Sequence, residues 1–230
     1  MKNLVNIIQE LIGRIPREIK VSSINGIRVY TCNTLYTTLC KIVTDSVGNK
    51  YTIIAFSQNE YLDLEPLDNA PAFDDTVVIL AEITYLHGTP ISTNNEYLLI
   101  ESRQSKKTPF IWLLESYQET FLGAESSLEV VYDDIRLFFM DGAIEDESND
   151  RQNELYIKPM QSLAQLFLDV INEDFTFKHP ENTRLRPRAR FGVEVTNKGN
   201  TRHIFNDGLS GAEMVINLEM YDVSICHQNC

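Results

Sequence analysis

The 230-residue chain lacks a long hydrophobic run. Asn6, Gln9 and Glu10 interrupt the first apolar residues before the core of a signal peptide could form, and no long uncharged span follows. Cysteine is also scarce, because four cysteines are too few for a disulfide scaffold in a chain of this length. We therefore expect a soluble, unexported protein that folds in a reducing cytosol, and we assume no disulfide.

The motifs of common catalytic sites are missing as well. The sequence has no HExxH zinc motif, no GxSxG nucleophile elbow, no Walker loop and no GxGxxG turn. Cys226, His227 and Cys230 offer three metal ligands without a fourth, which is more typical of an ordinary tail. Asp133 and Asp134 are adjacent on a predicted strand, so their carboxyl groups should point to opposite faces. We predict a protein that is not an enzyme and has no cofactor and no metal site.

One segment of this acidic chain carries a local excess of positive charge. The formal net charge is -13, which repels phosphate and argues against a dedicated nucleic-acid-binding protein. Residues 178–202 nevertheless contain seven basic residues against two acidic ones, a local charge of +5 that leaves -18 for the rest of the chain. The sequence thus predicts one basic strip on an acidic body.

Four arginines stand at every second position of this segment: Arg184, Arg186, Arg188 and Arg190. If the segment is extended, all four side chains project from one face, because side chains of a strand alternate. Such a row repels itself unless an anionic group lies opposite. An acidic loop of a neighbouring copy or of another protein is the favoured partner, while a solvated arm and DNA phosphates remain alternatives. The four arginines are the candidate contacts between subunits or with a partner.

Hydrophobic periodicity predicts two main helices and several strands. One helix lies near the N-terminus, and a longer one starts at Pro159, whose missing N–H is tolerated in a first helical turn. Residues 92–103 are either a short helix or a loop, and residues 60–75 form an acidic, solvent-facing connection. Trp112 should be buried in a core strand. The predicted strands are 38–45 and 50–56, joined as a hairpin, then 76–85, 110–114, 127–140 with a bulge at Asp133 and Asp134, and 213–221.

These elements predict an α+β fold. A mixed, mainly antiparallel sheet is packed by the N-terminal helix and the long helix, and it carries a β-rich insertion. Residues 1–23 and 87–230 form the predicted core domain, and residues 24–86 form the insertion. No internal repeat or long linker separates the two parts.

The order of elements resembles that of a known family. Six elements in chain order resemble those of the tail-terminator and tail-completion proteins of phages that infect Bacteroidetes. They are the N-terminal helix, the Lys107–Leu113 strand, the charged strand ending near Met140, a second acidic loop at residues 142–153, the Pro159 helix and the closing Asp207–Gly211 turn. The same order of elements also resembles that of the neck ring proteins of crAss-like phages. The resemblance covers the first helix and about residues 107–226, whereas the β-rich stretch departs from it.

The resemblance implies a structural virion protein. Such a bacteriophage protein folds in the host cytoplasm and then forms a homo-oligomeric ring in the neck or tail, as a head-tail connector. It contacts other neck, portal or tail-tube proteins, and it binds no membrane. DNA passes through its lumen without sequence-specific binding. A heterologous contact repeated by rotation closes such a ring, and an arginine strip facing acidic loops suits that contact.

Two other functions remain open from the sequence. In a virion adhesion or receptor-binding module, the β-rich part would present an exposed apolar or aromatic patch to a ligand. An unrecognised hydrolase would need a pocket with convergent polar groups, which no motif here indicates.

Overall fold

A computed structural model of the chain describes residues 3–100, 108–122, 128–143, 148–191, 193–195, 201–203 and 208–221. Its two mostly antiparallel sheets and their helices confirm the predicted α+β fold. The helices of the described residues are α1 (Leu4–Gly13), α2 (Pro90–Leu99), α3 (Asn149–Gln152) and α4 (Lys158–Asn172), with a π-helical turn at Asn153–Ile157 between the last two. None of the described helices is long and apolar enough to cross a membrane.

The first sheet closes into a barrel. Its ends, β1 and β2, are separated in sequence only by Val21 and Ser22, whose N–H groups donate to Thr76 and Tyr30 respectively. The extended segment 18–25 therefore pairs with β7 through its first half and with β3 through its second half. In chain order the strands are β1 (Glu18–Lys20), β2 (Ser23–Asn25), β3 (Arg28–Tyr30), β4 (Ile42–Thr44), β5 (Lys50–Ser57), β6 (Tyr61–Pro66) and β7 (Val77–Leu80), and their spatial order is β1-β7-β4-β5-β6-β3-β2.

The second sheet is built around a long antiparallel ribbon. Its strands are β8 (Thr84–Gly88), β9 (Phe110–Leu114), β10 (Gln118–Phe121), β11 (Leu128–Gly142), β12 (Phe177–Lys178), β13 (Arg184–Phe191) and β16 (Leu209–Tyr221), and β14 (Val193–Val195) and β15 (Thr201–His203) form a separate hairpin. Strand β11 lies between β16 and the β9 and β10 strands, and β13 and β12 flank β16 on its other side. Strand β8 runs parallel to β9 at the opposite edge.

One hydrophobic core joins the barrel, helices α1 and α4, and one face of the second sheet. The apolar stripe of α1 lies in it, as does the stripe of α4 that includes Met160, Leu163 and Phe167. Alternate residues of the ribbon, such as Phe139 and Met214, face this core, which we call the inner face. Both predicted helix stripes are therefore confirmed as buried.

Several local predictions from the sequence are also confirmed. The hairpin between β4 and β5 is present. Residues 110–114 form an interior strand, and Trp112 within it is only 2% exposed. A bulge interrupts the β11 ladder between Tyr132 and Ile135, where Asp134 adopts a positive φ of 54°. Residues 92–103 were predicted to be either a short helix or a loop. The structure shows a helix at Pro90–Leu99, so the first part of that segment is helical.

Other local predictions are wrong. Residues 61–66 of the supposed acidic connection form β6, where Leu62 and Leu64 are buried and Arg28 neutralises Asp63 through bonds of 2.7 and 2.8 Å. The strand predicted for 76–85 is two strands, one in each sheet. The long helix predicted to start at Pro159 is confirmed to within one residue, because α4 begins at Lys158, but the sequence did not predict the short helix that starts at Asn149. A π-helical turn precedes α4, so Pro159 lies where the regular α-helix begins.

The boundary between the two sheets lies between Leu80 and Thr84. Strands β1 and β2 start the barrel before residue 24, and β8 joins the second sheet before residue 87. The division into a core domain and an insertion at residues 24 and 86 stays a prediction, because the two sheets share one core.

A buried ion pair connects the barrel to the second sheet. Lys41 Nζ lies 2.5 Å from Oδ1 of Asp141, which is fully buried on β11, and it also donates to the carbonyl and hydroxyl oxygens of Thr108. Thr38 donates to the other carboxylate oxygen of Asp141. The three N–H donors of Lys41 thus all have acceptors, as a buried charge requires. We call this arrangement the joint.

Breaking the joint should strongly destabilise the fold. Lys41→Met or Asp141→Asn removes one partner and leaves the other buried without compensation, which typically costs about 3–5 kcal/mol. Urea denaturation followed by circular dichroism measures this loss. Lys158→Met is the control, because Lys158 is exposed and its change should cost less than about 0.5 kcal/mol. Equal effects of the buried and exposed lysine substitutions would refute the structural role of the joint.

Candidate functional site

The predicted arginine segment is extended, as the alternating sequence requires. It forms β13, whose residues pair antiparallel with residues 209–215 of β16. Among the described residues, no further strand pairs with the outer side of β13. Charged side chains and a proline, here Pro187, are features that protect the exposed edge of a sheet from uncontrolled pairing. The arginines therefore lie on an edge strand that is accessible from outside.

One of the four arginines is held by its own chain. Arg188 Nε donates to Glu213 at 2.9 Å, and Nη2 of the same guanidinium donates to the same carboxylate oxygen. Glu213 is only 1% exposed, whereas the side chain of Arg188 remains 40% exposed. Opposite Arg188 stands Gly211, where a side chain would collide with the carbonyl oxygen of Phe139. The sequence did not reveal this internal anionic partner.

The prediction that all four arginines lie on one face is wrong for Arg190, the last of them. Register between β13 and β16 shifts between Arg188 and Phe191, and Arg190 adopts a positive φ of 50°. A bulge of this kind interrupts the alternation of side chains. Nη1 of Arg190 donates to Asn149 at 2.8 Å, so this arginine connects β13 to the start of α3.

An arginine from another strand extends the row instead. Val215 pairs with Arg184 on one side and with Arg136 of β11 on the other. Residues directly opposite each other in a sheet share a face, so Arg136 and Arg184 flank Val215 on the outer face of the second sheet. Arg186 lies on the same face, two residues along β13. We call Arg136, Arg184 and Arg186 the arginine patch.

The arginine patch is exposed and has no internal counter-ion. All three side chains are exposed, and none makes an ion pair or hydrogen bond with the described residues. Lys178 lies farther along the same face, but Glu219 binds it at 3.2 Å and keeps the pKa of Lys178 above its usual value through a hydrogen bond. Three cations that remain unpaired on one surface favour an anionic partner outside the chain.

Beyond the patch, the outer face is covered by aromatic rings. Trp112 and Phe138 stack with their centroids 4.7 Å apart, and Phe191 packs against Phe138 at 5.1 Å. The indole N–H of Trp112 donates to the carbonyl oxygen of Gly88 at 3.0 Å. These buried rings are a second hydrophobic core, and they hold the strands that carry the patch.

The remaining candidate residues do not assemble a site. No group of three or more His, Cys, Asp and Glu residues in the described parts of the chain is arranged to hold a metal ion. Cys32 and Cys40 are free and exposed. Cys226, His227 and Cys230 lie outside the described residues.

The chain matches no protein-family model, and no curated protein sequence matches it. Function is therefore inferred from the surface chemistry of the chain together with the sequence resemblance.

The arginines of β13 should differ sharply in their effect on stability. Arg188→Ala leaves the Glu213 carboxylate buried and unpaired, so we expect the free energy of unfolding to fall by about 2 kcal/mol. This is less than the loss expected for a fully buried ion pair, because Arg188 is partly exposed. Arg184→Ala, the matched control on the same strand, should cost less than about 0.5 kcal/mol. Chemical denaturation compares the two variants. Adding Glu213→Gln should restore part of the stability lost in Arg188→Ala.

Proposed function

We propose that the chain is a non-enzymatic structural protein of a tailed-phage particle that assembles as a ring in the neck or tail. The observation that supports this proposal most directly is the arginine patch, an exposed and unpaired basic surface on a chain of net charge -13. Such a surface is suited to an acidic neighbour. Because most of the other copies' surface is acidic, identical subunits supply that neighbour themselves.

The position of the patch also favours a head-to-tail contact. The patch lies on the outer face near β13, whereas the barrel, α1 and α4 pack against the inner face through the shared core. A patch that contacts a different region of the next copy makes a heterologous interface, and rotation about a common axis closes it into a ring. A two-fold contact of arginine patches would instead bring like charges together.

The net negative charge of the chain is compatible with the passage of DNA through the lumen of the proposed ring. Strong, salt-sensitive DNA binding requires several Lys or Arg contacts to phosphate. In the proposed ring the patch is occupied by the neighbouring subunit, so these arginines are not available to DNA. The predominantly negative remainder of the chain then repels the phosphate backbone.

A second function is favoured by one feature of the barrel. Tyr30 pairs with Tyr61 on adjacent strands, and the guanidinium of Arg28 lies 3.8 Å from the ring centroid of Tyr61. Ile27, in the turn beside them, is 52% exposed. An exposed aromatic and apolar surface of this type suits ligand binding by a virion adhesion module. A stable monomer that binds glycan would support that function over the ring.

The ring proposal predicts the size and location of the native protein. Purified wild-type protein should have the mass of a multimer by light scattering, and electron microscopy should place it in the neck or tail of purified particles. The multimer should dissociate as salt is raised from about 0.05 M to 1 M, because the Debye length then shortens from more than 10 Å to about 3 Å. A monomer at low salt that is absent from particles would refute the proposal.

Reversing the patch should block particle assembly without unfolding the subunit. In Arg184→Glu with Arg186→Glu, two exposed cations become anions, so we expect particles that lack attached tails while the circular dichroism of the subunit stays unchanged. Arg188 is kept, since its loss would disturb Glu213. The control is Lys20→Glu with Lys158→Glu, the same change of charge at two other exposed positions. Normal particles from the arginine variant would contradict the proposed role.

A further inference from the structure

The outer surface of the barrel contains a groove whose shape and charge differ from those of the patch. It has a volume of about 750 Å³ and crosses β7, β4 and β5. Ile42, Leu67 and Ile79 contribute apolar side chains to its lining, beside Thr44 and Thr52. This groove is wide enough for a row of side chains from a second protein.

Carboxylates lie on several sides of the groove. Asp68 and Glu82 line it directly. Glu18 pairs in register with Ile79 and Glu65 pairs in register with Thr52, so these two acids share the outer face at opposite sides of the groove. We call Glu18, Glu65, Asp68 and Glu82, together with the lining they surround, the acidic groove.

Two of these carboxylates have weak surface partners and two have none. Lys50, which itself lines the groove, lies 3.9 Å from Asp68, and Arg17 lies 3.5 Å from Glu82; both are exposed pairs that contribute little to stability. Glu18 and Glu65 are exposed and make no ion pair or hydrogen bond through their side chains with the described residues. The groove therefore carries unpaired negative charge, whereas the arginine patch carries unpaired positive charge.

The groove and the patch are too far apart to neutralise each other within one chain. The groove lies beside β7, which leads into β8 through residues 81–83, and β8 is one edge of the second sheet. Strand β13 is at the opposite edge, separated from β8 by β16, β11 and β9. The four strand spacings from β8 to β13, which carries Arg184 and Arg186, correspond to about 19 Å across the sheet, and Arg136 on β11 lies two spacings, about 10 Å, from β8.

We infer that the acidic groove of one copy receives the arginine patch of a second copy. Val215, half-buried between Arg136 and Arg184, is at the centre of the patch and faces the apolar lining of the groove, while the arginines meet the carboxylates on its rim. Because each copy has one patch on the second sheet and one groove on the barrel, every copy binds one neighbour through its patch and another through its groove. The inference rests on the proposed ring and specifies which surfaces form its contact.

Complementary charge reversals test this pairing. In the patch variant, Arg184→Glu is combined with Arg186→Glu; in the groove variant, Glu18→Arg is combined with Glu65→Arg. Each variant alone should be monomeric by light scattering at low salt, because its own patch and groove then carry the same sign. Mixed in equal amounts, the two variants should assemble again, since each groove meets a patch of opposite charge. The control, Lys20→Glu with Lys158→Glu, keeps its arginine patch positive and its acidic groove negative, so it should assemble alone.

Each outcome separates this inference from the ring proposal. Assembly of both reversed variants on their own would overturn the pairing of groove and patch but would leave a ring with another contact. Monomeric variants whose mixture also stays monomeric would overturn the pairing as well. If the wild type itself is monomeric and absent from particles, the ring proposal fails independently of the mixing result.

Discussion

The buried joint between Lys41 and Asp141 determines how the two halves of the molecule are placed. The barrel is complete in its own strand pairing, and so is the second sheet, so backbone hydrogen bonds alone do not orient one against the other. The hydrophobic effect that drives the core between them together is not directional, whereas an ion pair in which every lysine donor has an acceptor is directional. The separation between acidic groove and arginine patch depends on this orientation.

The ribbon of β11 and β16 gives different roles to its two faces. Its inner residues complete the main core, while its outer residues form the aromatic core at one end and carry Arg136 and Val215 at the other. The buried Glu213 stands between these outer regions and pairs with Phe138 across the ladder. Arg188 neutralises Glu213, so a charged group can lie beside aromatic rings without losing its counter-ion. One arginine of β13 thus stabilises the fold, and its neighbours remain available.

The sequence predicted those features that depend on local periodicity. The stripes of α1 and α4, the burial of Trp112 and the bulge near Asp134 follow from spacing within a single segment. Features that depend on distant residues were missed. The joint links residues 100 positions apart, and Arg136 joins the patch only through the register of β11 with β16. Strand β6 was missed because its acidic residues concealed the alternation of Leu62 and Leu64, although Arg28 makes the burial of Asp63 tolerable.

The closed barrel has a consequence for the order of folding during synthesis. Every pairing partner of its strands lies within residues 18–80, so its ladder can be completed before the second sheet has been translated. Helix α1 precedes the barrel in the chain, yet its apolar stripe shares a core with α4, which is translated much later. Lys41 likewise has no carboxylate partner until β11 has left the ribosome. The nascent barrel therefore exposes the apolar stripe of α1 and a lysine that still lacks its carboxylate partner, a state in which a chaperone would prevent premature association with other nascent copies.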